Sequence, residues 1–262
     1  MHIRRGGCEV YWYKLRRPNE CNAMSASETF VLVHGAWHGG WCWCRVAEAL
    51  RAAGHLVFTP TLTGLGERVH LLRPDITIED FATDVANVIE AEELWHVILV
   101  GHSLAGGAIS VVADRIPKTL KQLVYLDAGV LENGESPFSK MDPTIVAQRL
   151  KLAQETSGGL TIPPPAPGAF GVTEPHDVEW LRRRLTPQPF NCYQTPIRLN
   201  HPLGNGVSKT YIACTRPAYK PMLEIQEWVR RQNEWVYVEF ACGHDAMVIC
   251  PDALAQILIG CA

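Results

Sequence analysis

Short apolar runs alternate with amphipathic stretches over most of the chain. An apolar run of about four to eight residues is typical of a buried strand, and apolar residues repeated every three or four positions are typical of a helix. Strands that alternate with helices predict an α/β protein with a mainly parallel, helix-flanked central sheet. The predicted strands cover 30–33, 55–59, 97–100, 123–126, 209–214 and 236–240, and the predicted helices cover 46–53, 78–94, 103–115, 222–231 and 251–259.

The alternation stops between about residues 131 and 205, a segment that we call the cap. Prolines are frequent there and include a run of three at 163–165. Helical pieces are predicted over 143–155 and 176–184, with no strong strand between them. An insertion of this length favours a helical cap over the sheet edge, inserted after the strand that ends at Asp127. A flexible polar loop is the alternative, but the apolar content of the segment argues against it.

The N-terminal 26 residues differ from the rest of the chain. Residues 1–23 are basic and lack the apolar stretch of a signal peptide. Met24 is followed by a short polar stretch and then by the first predicted strand. We therefore expect a loose N-terminal extension over 1–26, or translation from an upstream start codon, with a transit peptide as the weaker alternative. One α/β domain that contains the cap is expected over 27–262.

The composition is that of an ordinary globular protein, with 47% hydrophobic and 19% charged residues. A net charge of −3 provides no basic field for nucleic acid and no polybasic face for a membrane, so neither partner is predicted. The nine cysteines are an odd number scattered through apolar stretches, which indicates a reducing, cytoplasmic compartment. Cys42 and Cys44 lack a second ligand pair at zinc spacing, so no metal site is predicted.

Ser103 lies in the stretch GHSLA, between a predicted buried strand and a predicted helix. In that position the pattern predicts a nucleophile elbow, a sharp turn that exposes the serine hydroxyl above the sheet edge. Small neighbours let the strand and the helix approach each other, and here Ala105 stands in place of the second glycine. The helix N-terminus would supply positive potential for a developing anion. A serine that only caps the helix is the alternative.

A nucleophilic serine needs a base and hydrogen-bond donors for the oxyanion. His244 is the candidate base among ten histidines, because it directly follows the last predicted strand. The backbone amides of Ala36, after the first strand, and Leu104, after the serine, are the candidate oxyanion-hole donors. This chemistry requires no metal ion and no cofactor.

The stretches FVLVHGAWHGGWCW, ILVGHSLAGG and GHDAM resemble the α/β-hydrolase superfamily. The branch they resemble contains plant methyl-ester esterases such as the salicylic-acid-binding protein, hydroxynitrile lyases and related bacterial esterases. The resemblance extends over about residues 29–259 in the order and spacing of the motifs, and the cap is the divergent part. It implies the α/β-hydrolase fold, Ser103 as the nucleophile and His244 as the base.

The acid of the triad does not follow directly from the resemblance. In the plant esterases an aspartate follows the Ile-x-Cys-Thr strand end, whereas here Thr215 is followed by Arg216 and a proline. Some α/β hydrolases carry the acid after the preceding strand, where Asp127 stands, and this position keeps the chain order serine, acid, histidine. Asp127 is therefore favoured and Glu224 is the alternative. Asp245 adjoins the base but is expected to be a poor orienting partner.

The predicted function is a serine carboxylesterase that hydrolyses small to medium lipophilic esters through an acyl-enzyme intermediate. A cyanohydrin lyase is one alternative, but the related lyases carry threonine at the position of Gly35 and lysine at that of Asp245. A ligand receptor on a hydrolase scaffold, without catalysis, is another. The predicted partner is a small-molecule ester, and the resemblance suggests a homodimer.

Overall fold

The computed structural model describes the strands at residues 2–5 and 8–13 and all of residues 27–262. Apolar runs form the strands of the central sheet, as their burial on both faces predicts. The strands in this part of the chain are β1 His2–Arg5, β2 Cys8–Tyr13, β3 Thr29–Val33, β4 Leu56–Phe58, β5 Val97–His102, β6 Leu120–Leu126, β7 Thr161–Ile162, β8 Gln188–Pro189, β9 Ser208–Cys214 and β10 Trp235–Phe240.

Eight of these strands form one sheet in the order β1-β2-β10-β9-β6-β5-β3-β4. The strands from β10 to β4 pair in parallel, which confirms the predicted mainly parallel sheet. β2 pairs antiparallel with β10, and β1 pairs antiparallel with β2. Residues His2–Arg5 and Cys8–Tyr13 thus extend the sheet, whereas the sequence predicted a loose extension. The remainder of 1–26 lies outside the described residues.

Helices connect the strands and cover both faces of the sheet. Alternate residues of β3 point to opposite faces, with Phe30 and Leu32 in one core cluster and Val31 and Val33 in the other. The described α-helices are α1 Cys44–Ala52, α2 Ile78–Ala91, α3 Ala105–Arg115, α4 Pro143–Ser157, α5 Pro175–Arg182, α6 Asn191–Gln194, α7 Leu223–Arg230, α8 Ala246–Ile249 and α9 Pro251–Cys261. Helices α2, α3 and α7 bury side chains in one cluster, and α1 and α9 bury theirs in the other.

The cap contains α4 and α5, close to the two helical pieces that the sequence predicts, and also α6 and the two-stranded β7-β8 sheet. Trp37, in the loop after β3, connects the cap to the sheet. Its Nε1 donates to Ile162 O at 2.9 Å, and its amide donates to Gln188 Oε1 at 3.1 Å. The Trp37 carbonyl also accepts from the amide of Thr186. These bonds hold the cap above the carboxyl edge of the central sheet.

Within the part of the chain that the structure describes, none of the helices has the length and apolar character needed to cross a bilayer.

Candidate active site

Ser103 lies at the turn between β5 and α3, at the carboxyl edge of the sheet. Its φ of 54° is in the left-handed region, which costs a non-glycine residue about 1–2 kcal/mol. Backbone hydrogen bonds hold the turn: the Ser103 amide donates to Leu126 O, and its carbonyl accepts from the amides of Gly106 and Gly129. Leu104, and not Ser103, occupies the N-cap of α3. The serine hydroxyl is therefore free to face other groups.

His244 follows β10 and joins the Ser103 hydroxyl to the carboxylate of Asp127. Its Nε2 lies 3.0 Å from Ser103 Oγ, and its Nδ1 lies 2.6 Å from Asp127 Oδ2. An ionised carboxylate only accepts hydrogen bonds, so Nδ1 carries the proton and Nε2 can accept one from the serine. The imidazole is buried and stacked on Tyr219, with 4.1 Å between ring centroids, which fixes its orientation.

Asp127 lies directly after β6 and is fully buried. Its φ of 42° is also left-handed, and this conformation turns the side chain toward the histidine. While Oδ2 faces His244, Oδ1 accepts from Gln226 Nε2 at 2.6 Å and from the Cys214 amide at 3.4 Å. Both carboxylate oxygens are thus hydrogen-bonded, which offsets the cost of burying the charge.

Glu224, the alternative acid, is exposed in the first turn of α7 and lines a neighbouring groove. Gln226, two residues further along the same helix, contacts Asp127 instead. No pattern in the sequence pointed to Gln226, because an amide at a helix position has no motif of its own. The structure therefore brings together Ser103, His244 and Asp127 and leaves Glu224 outside this group.

The two candidate oxyanion donors lie on the loops that meet at Ser103. Leu104 is its chain neighbour, and Ala36 follows Gly35, where an added Cβ would lie 2.8 Å from Ser103 Cβ. Such a distance is too short for a side chain, so glycine lets this loop pack against the serine. Within residues 27–262, neither the Ala36 amide nor the Leu104 amide donates to another protein group. Both remain available to a ligand atom.

His34 fixes the peptide plane that carries the Ala36 amide. Its Nε2 accepts from the Leu62 amide at 3.0 Å, so its Nδ1 carries the proton and donates to Gly35 O at 2.8 Å. Burial lowers the pKa of His34 to about 3, which keeps the ring in this neutral form. Since Gly35 O and the Ala36 amide belong to one peptide group, the ring orients the donor. The sequence motif contained His34, but no pattern distinguished it as a positioning residue.

A second buried histidine–carboxylate pair lies beside the first. Asp245 Oδ2 lies 3.1 Å from His38 Nε2, and His38 Nδ1 lies 2.8 Å from Ala36 O. Both ring nitrogens face acceptors, so His38 is an imidazolium. Burial alone would lower the pKa of His38, but the Asp245 carboxylate outweighs it and the pKa is raised. Asp245 therefore pairs with His38 and not with the ring of His244.

Replacing His38 with Gln should lower the free energy of unfolding by about 3 kcal/mol at low pH, because the Asp245 charge stays buried without a partner. The folded-state pKa of His38 lies above its ordinary value of 6.5. Its stabilisation is therefore fully present below pH 6.5 and is lost as the pH rises through the folded-state pKa. Urea unfolding of both proteins from about pH 6 to about pH 9 should show the difference shrinking as the pH rises.

The double variant His38→Gln/Asp245→Asn is the control for this prediction. It removes both charges and should recover part of the lost stability. A difference between wild type and His38→Gln that stays constant or grows with pH would contradict the ion pair.

His102, His244 and Asp245 are close enough that their ligand atoms lie within 4.8 Å of one another. Both ring nitrogens of His244 are already engaged by Asp127 and Ser103, so the ring has no free lone pair for a metal ion. His102 Nε2 faces His244 O, which requires a proton on that nitrogen. Burial, and then the neighbouring His244, lower the pKa of His102 well below its ordinary value. The donor set therefore fits proton transfer better than metal binding.

A small cavity of about 40 Å³ lies above Ser103 and Leu104. The cap supplies part of the wall and the loops after the strands supply the rest. Most of the lining is apolar or aromatic and comes from Trp37, Leu131, Met141, Tyr193, Tyr219 and Met222. Such a lining favours flat or lipophilic ligands over strongly polar ones.

A mainly parallel sheet with a serine turn at its carboxyl edge and a helical cap above it defines the α/β-hydrolase class. The chain belongs to the alpha/beta hydrolase family, whose family model matches residues 30–257. This confirms the fold and the family that the sequence motifs resemble.

Two relatives are similar over most of the chain. A carbendazim hydrolyzing esterase from Nocardioides sp. (strain SG-4G) is 42% identical over 240 residues, which are 87% of this chain and 97% of the relative. Methyl jasmonate esterase 1 from Vitis vinifera is 38% identical over 238 residues, which are 83% of this chain and 89% of the relative. The resemblance to the esterase branch is thereby confirmed.

Among solved structures, an extracellular alpha/beta-hydrolase from a Paenibacillus species superposes with a TM-score of 0.74. The comparison covers 89% of this chain and 98% of that one, at 23% identity. That protein is described as sharing structural and functional homology with tobacco salicylic acid binding protein 2. At this identity the similarity is one of fold.

Proposed function

We propose that the protein is a serine carboxylesterase that hydrolyses small to medium lipophilic esters through an acyl-enzyme intermediate. The observation that carries the proposal is the continuous hydrogen-bond chain from Ser103 Oγ to His244 Nε2, at 3.0 Å, and from His244 Nδ1 to Asp127 Oδ2, at 2.6 Å. Three segments far apart in the chain supply these groups, and Ser103 lines a mainly apolar cavity.

In the acylation step, Ser103 Oγ attacks the ester carbonyl carbon while His244 Nε2 takes the hydroxyl proton. Negative charge develops on the carbonyl oxygen, and the amides of Ala36 and Leu104 donate to it. One such donor contributes about 3–4 kcal/mol of transition-state stabilisation in comparable sites. The carbon–oxygen bond to the leaving alcohol then breaks, and His244 returns the proton to the alcohol oxygen.

In the deacylation step, water takes the place of the alcohol. His244 Nε2 accepts a proton from the water as its oxygen attacks the acyl carbon, and the same two amides stabilise the second oxyanion. Collapse of the intermediate breaks the bond to Ser103 Oγ, and the imidazolium returns its proton to the serine. Asp127 stabilises the imidazolium in both steps without itself taking the proton.

The relatives support substrates with a small alcohol part. Carbendazim is a methyl carbamate on a benzimidazole ring, and methyl jasmonate is a methyl ester. The aromatic lining of the cavity fits flat acyl groups. Carbendazim, methyl jasmonate and methyl aryl esters are therefore the first compounds to assay with this protein.

Burst kinetics and covalent labelling test the proposal. With a p-nitrophenyl ester, rapid mixing should show a burst of nitrophenol of one equivalent or less per chain, because the acyl-enzyme accumulates. Diisopropyl fluorophosphate should abolish turnover and add one phosphoryl group, which peptide mass spectrometry should locate on Ser103. An adduct on a different residue would reject the assignment.

A cyanohydrin lyase fits the site less well. An added Cβ at Gly35 would lie 2.8 Å from both Ser103 Cβ and His102 Nδ1, which leaves no room for the threonine of the related lyases. Asp245, at the position of their lysine, forms the buried pair with His38. Fast release of cyanide from mandelonitrile that depends on Ser103 would overturn this conclusion.

We also propose a cytoplasmic location, a single hydrolase domain over 27–262 and, from the family resemblance, a homodimer. The location rests on the cysteines: Cys42, Cys192, Cys214 and Cys242 are buried free thiols. Size-exclusion chromatography with light scattering tests the oligomeric state.

A further inference from the structure

Arg149 brings a positive charge to the mainly apolar cavity above Ser103. It lies on α4 of the cap and lines the same cavity as the serine. Its guanidinium carbon lies 4.7 Å from the ring centroid of Tyr193 and 5.7 Å from that of Trp37. The Tyr193 and Tyr219 hydroxyls also interact with the guanidinium. The side chain is therefore held in place by aromatic groups.

Within the part of the chain that the structure describes, Arg149 differs from Lys140 and Arg45 in lacking a carboxylate partner. Lys140, which lines the same cavity, pairs with Glu135 at 2.5 Å, and Arg45 pairs with Asp177 at 2.7 Å. Among residues 27–262, the charged-group neighbours of Arg149 are tyrosines, and its Nη1 is buried without a hydrogen-bond partner. Such a donor is costly to leave unsatisfied, and arginine cannot lose its charge in a protein.

We infer that Arg149 binds an oxygen acceptor, foremost a carboxylate, carried by the substrate at the end remote from its ester bond. This inference rests on the proposed function and narrows it to planar aromatic esters with a second acceptor group. A planar guanidinium offers paired donors that match a carboxylate, and the surrounding aromatic rings exclude the water that would weaken the bond.

Tyr219 contacts both His244 and Arg149. Its ring stacks on His244, while its hydroxyl interacts with Arg149. The guanidinium therefore lies near the hydroxyl end of the ring that packs on the imidazole. An aromatic ester with a carboxylate at the para position is therefore the probe that we choose for this cation.

Ligand binding to the Ser103→Ala protein tests the inference without turnover. Monomethyl terephthalate, which is anionic, and methyl 4-methylbenzoate, its neutral analogue, differ at the para position. By calorimetry, Arg149→Met should weaken binding of the anionic ester by at least about tenfold and change binding of the neutral ester by less than about twofold. Arg149→Lys keeps the charge and should give an intermediate loss of affinity for the anionic ester.

Lys140→Met is the matched control, because it removes a cation of the same cavity that already has a partner. It should change the ratio of the two affinities by less than about twofold, since Glu135 already offsets its charge. Thermal unfolding of each variant checks that the fold is intact. Equal losses for both esters in Arg149→Met would mean that the arginine only packs the cap, and would overturn the inference.

Two further outcomes also overturn the inference. One is that Lys140→Met weakens binding of the anionic ester as much as Arg149→Met does. The other is that the protein with Arg149 intact binds the anionic ester no more tightly than the neutral one. The esterase proposal is tested separately. If the protein with Ser103 intact hydrolyses neither ester while the calorimetry follows the expected pattern, the proposed function fails and the Arg149 site stands.

Discussion

The Ser103→Ala variant should lose about 10⁴- to 10⁶-fold in kcat, the range seen when the nucleophile of a serine hydrolase is removed. The reason is that the variant loses the attacking oxygen at the corner between β5 and α3, where Ser103 Oγ lies 3.0 Å from His244 Nε2. The cavity itself is unchanged by loss of one oxygen, so substrate affinity should remain. Steady-state assays with a methyl aryl ester and calorimetry with the same ester measure the two quantities.

Ser110→Ala is the control for this variant. Ser110 is a buried serine of α3, the helix that follows Ser103, and its Oγ bonds to Gly106 O and Tyr125 Oη away from the cavity. Removing it should reduce stability by about 1 kcal/mol and leave kcat within about twofold. If Ser103→Ala retained more than about one hundredth of the wild-type turnover, the acyl-enzyme mechanism would be wrong. Intact ligand binding together with an unaffected biological response would favour the receptor alternative.

The central sheet could be predicted because its strands are apolar on both faces. Runs such as Val97–Val100 are unambiguous, since each residue is buried against one helix layer or the other. The proximity of Ser103 and His244 could be predicted for a related reason. Each directly follows a parallel strand, and all such loops meet at one edge of the sheet.

The elements that escaped prediction lack this signal. β7 and β8 have two residues each, which is too short for any periodic pattern. Which side chain of α7 contacts Asp127 depends on how the helix is rotated about its axis. Gln226 is rotated about 200° from Glu224 around that axis, so only one of the two can face Asp127. Packing of α7 against β9 and β10 decides which of the two faces Asp127. The sequence alone does not specify this rotation of the helix.

Polar groups that act in pairs escaped prediction for a different reason. His34 and His38 belong to the HGAWH stretch, and both look like ordinary loop residues in the sequence. Their roles depend on partners far away in the chain, Leu62 for the first and Asp245 for the second. Arg149 likewise lies in a divergent cap helix with no motif. Only the folded arrangement shows that its charge has no carboxylate partner among residues 27–262.

The Asp127→Asn variant should lose about 10⁴-fold in kcat, as in other triads with the same change, although the side chain keeps its shape. The hydrogen bonds of this site explain why. Gln226 Nε2 and the Cys214 amide both donate to Asp127 Oδ1, so the asparagine must place its carbonyl oxygen there. Its NH₂ group then faces His244 Nδ1 and donates to it. The histidine is forced to carry its proton on Nε2, where it cannot accept one from Ser103.

A second substitution reverses this constraint and tests it. In the wild-type protein Gln226 Nε2 lies within reach of both Asp127 Oδ1 and Cys214 O. In the double variant Asp127→Asn/Gln226→Glu, the hydroxyl of a protonated Glu at this position can donate to Cys214 O and accept from the asparagine NH₂. The asparagine can then rotate so that its oxygen accepts from His244 Nδ1–H, and this rotation gives up only the weak 3.4 Å bond from the Cys214 amide. We expect kcat to recover by about tenfold or more at mildly acidic pH, where the glutamic acid is protonated. The double variant allows the asparagine amide to rotate, and this rotation restores the proton to His244 Nδ1. If kcat of the double variant nevertheless stays at the level of Asp127→Asn at every pH, the loss of kcat does not arise from the histidine tautomer.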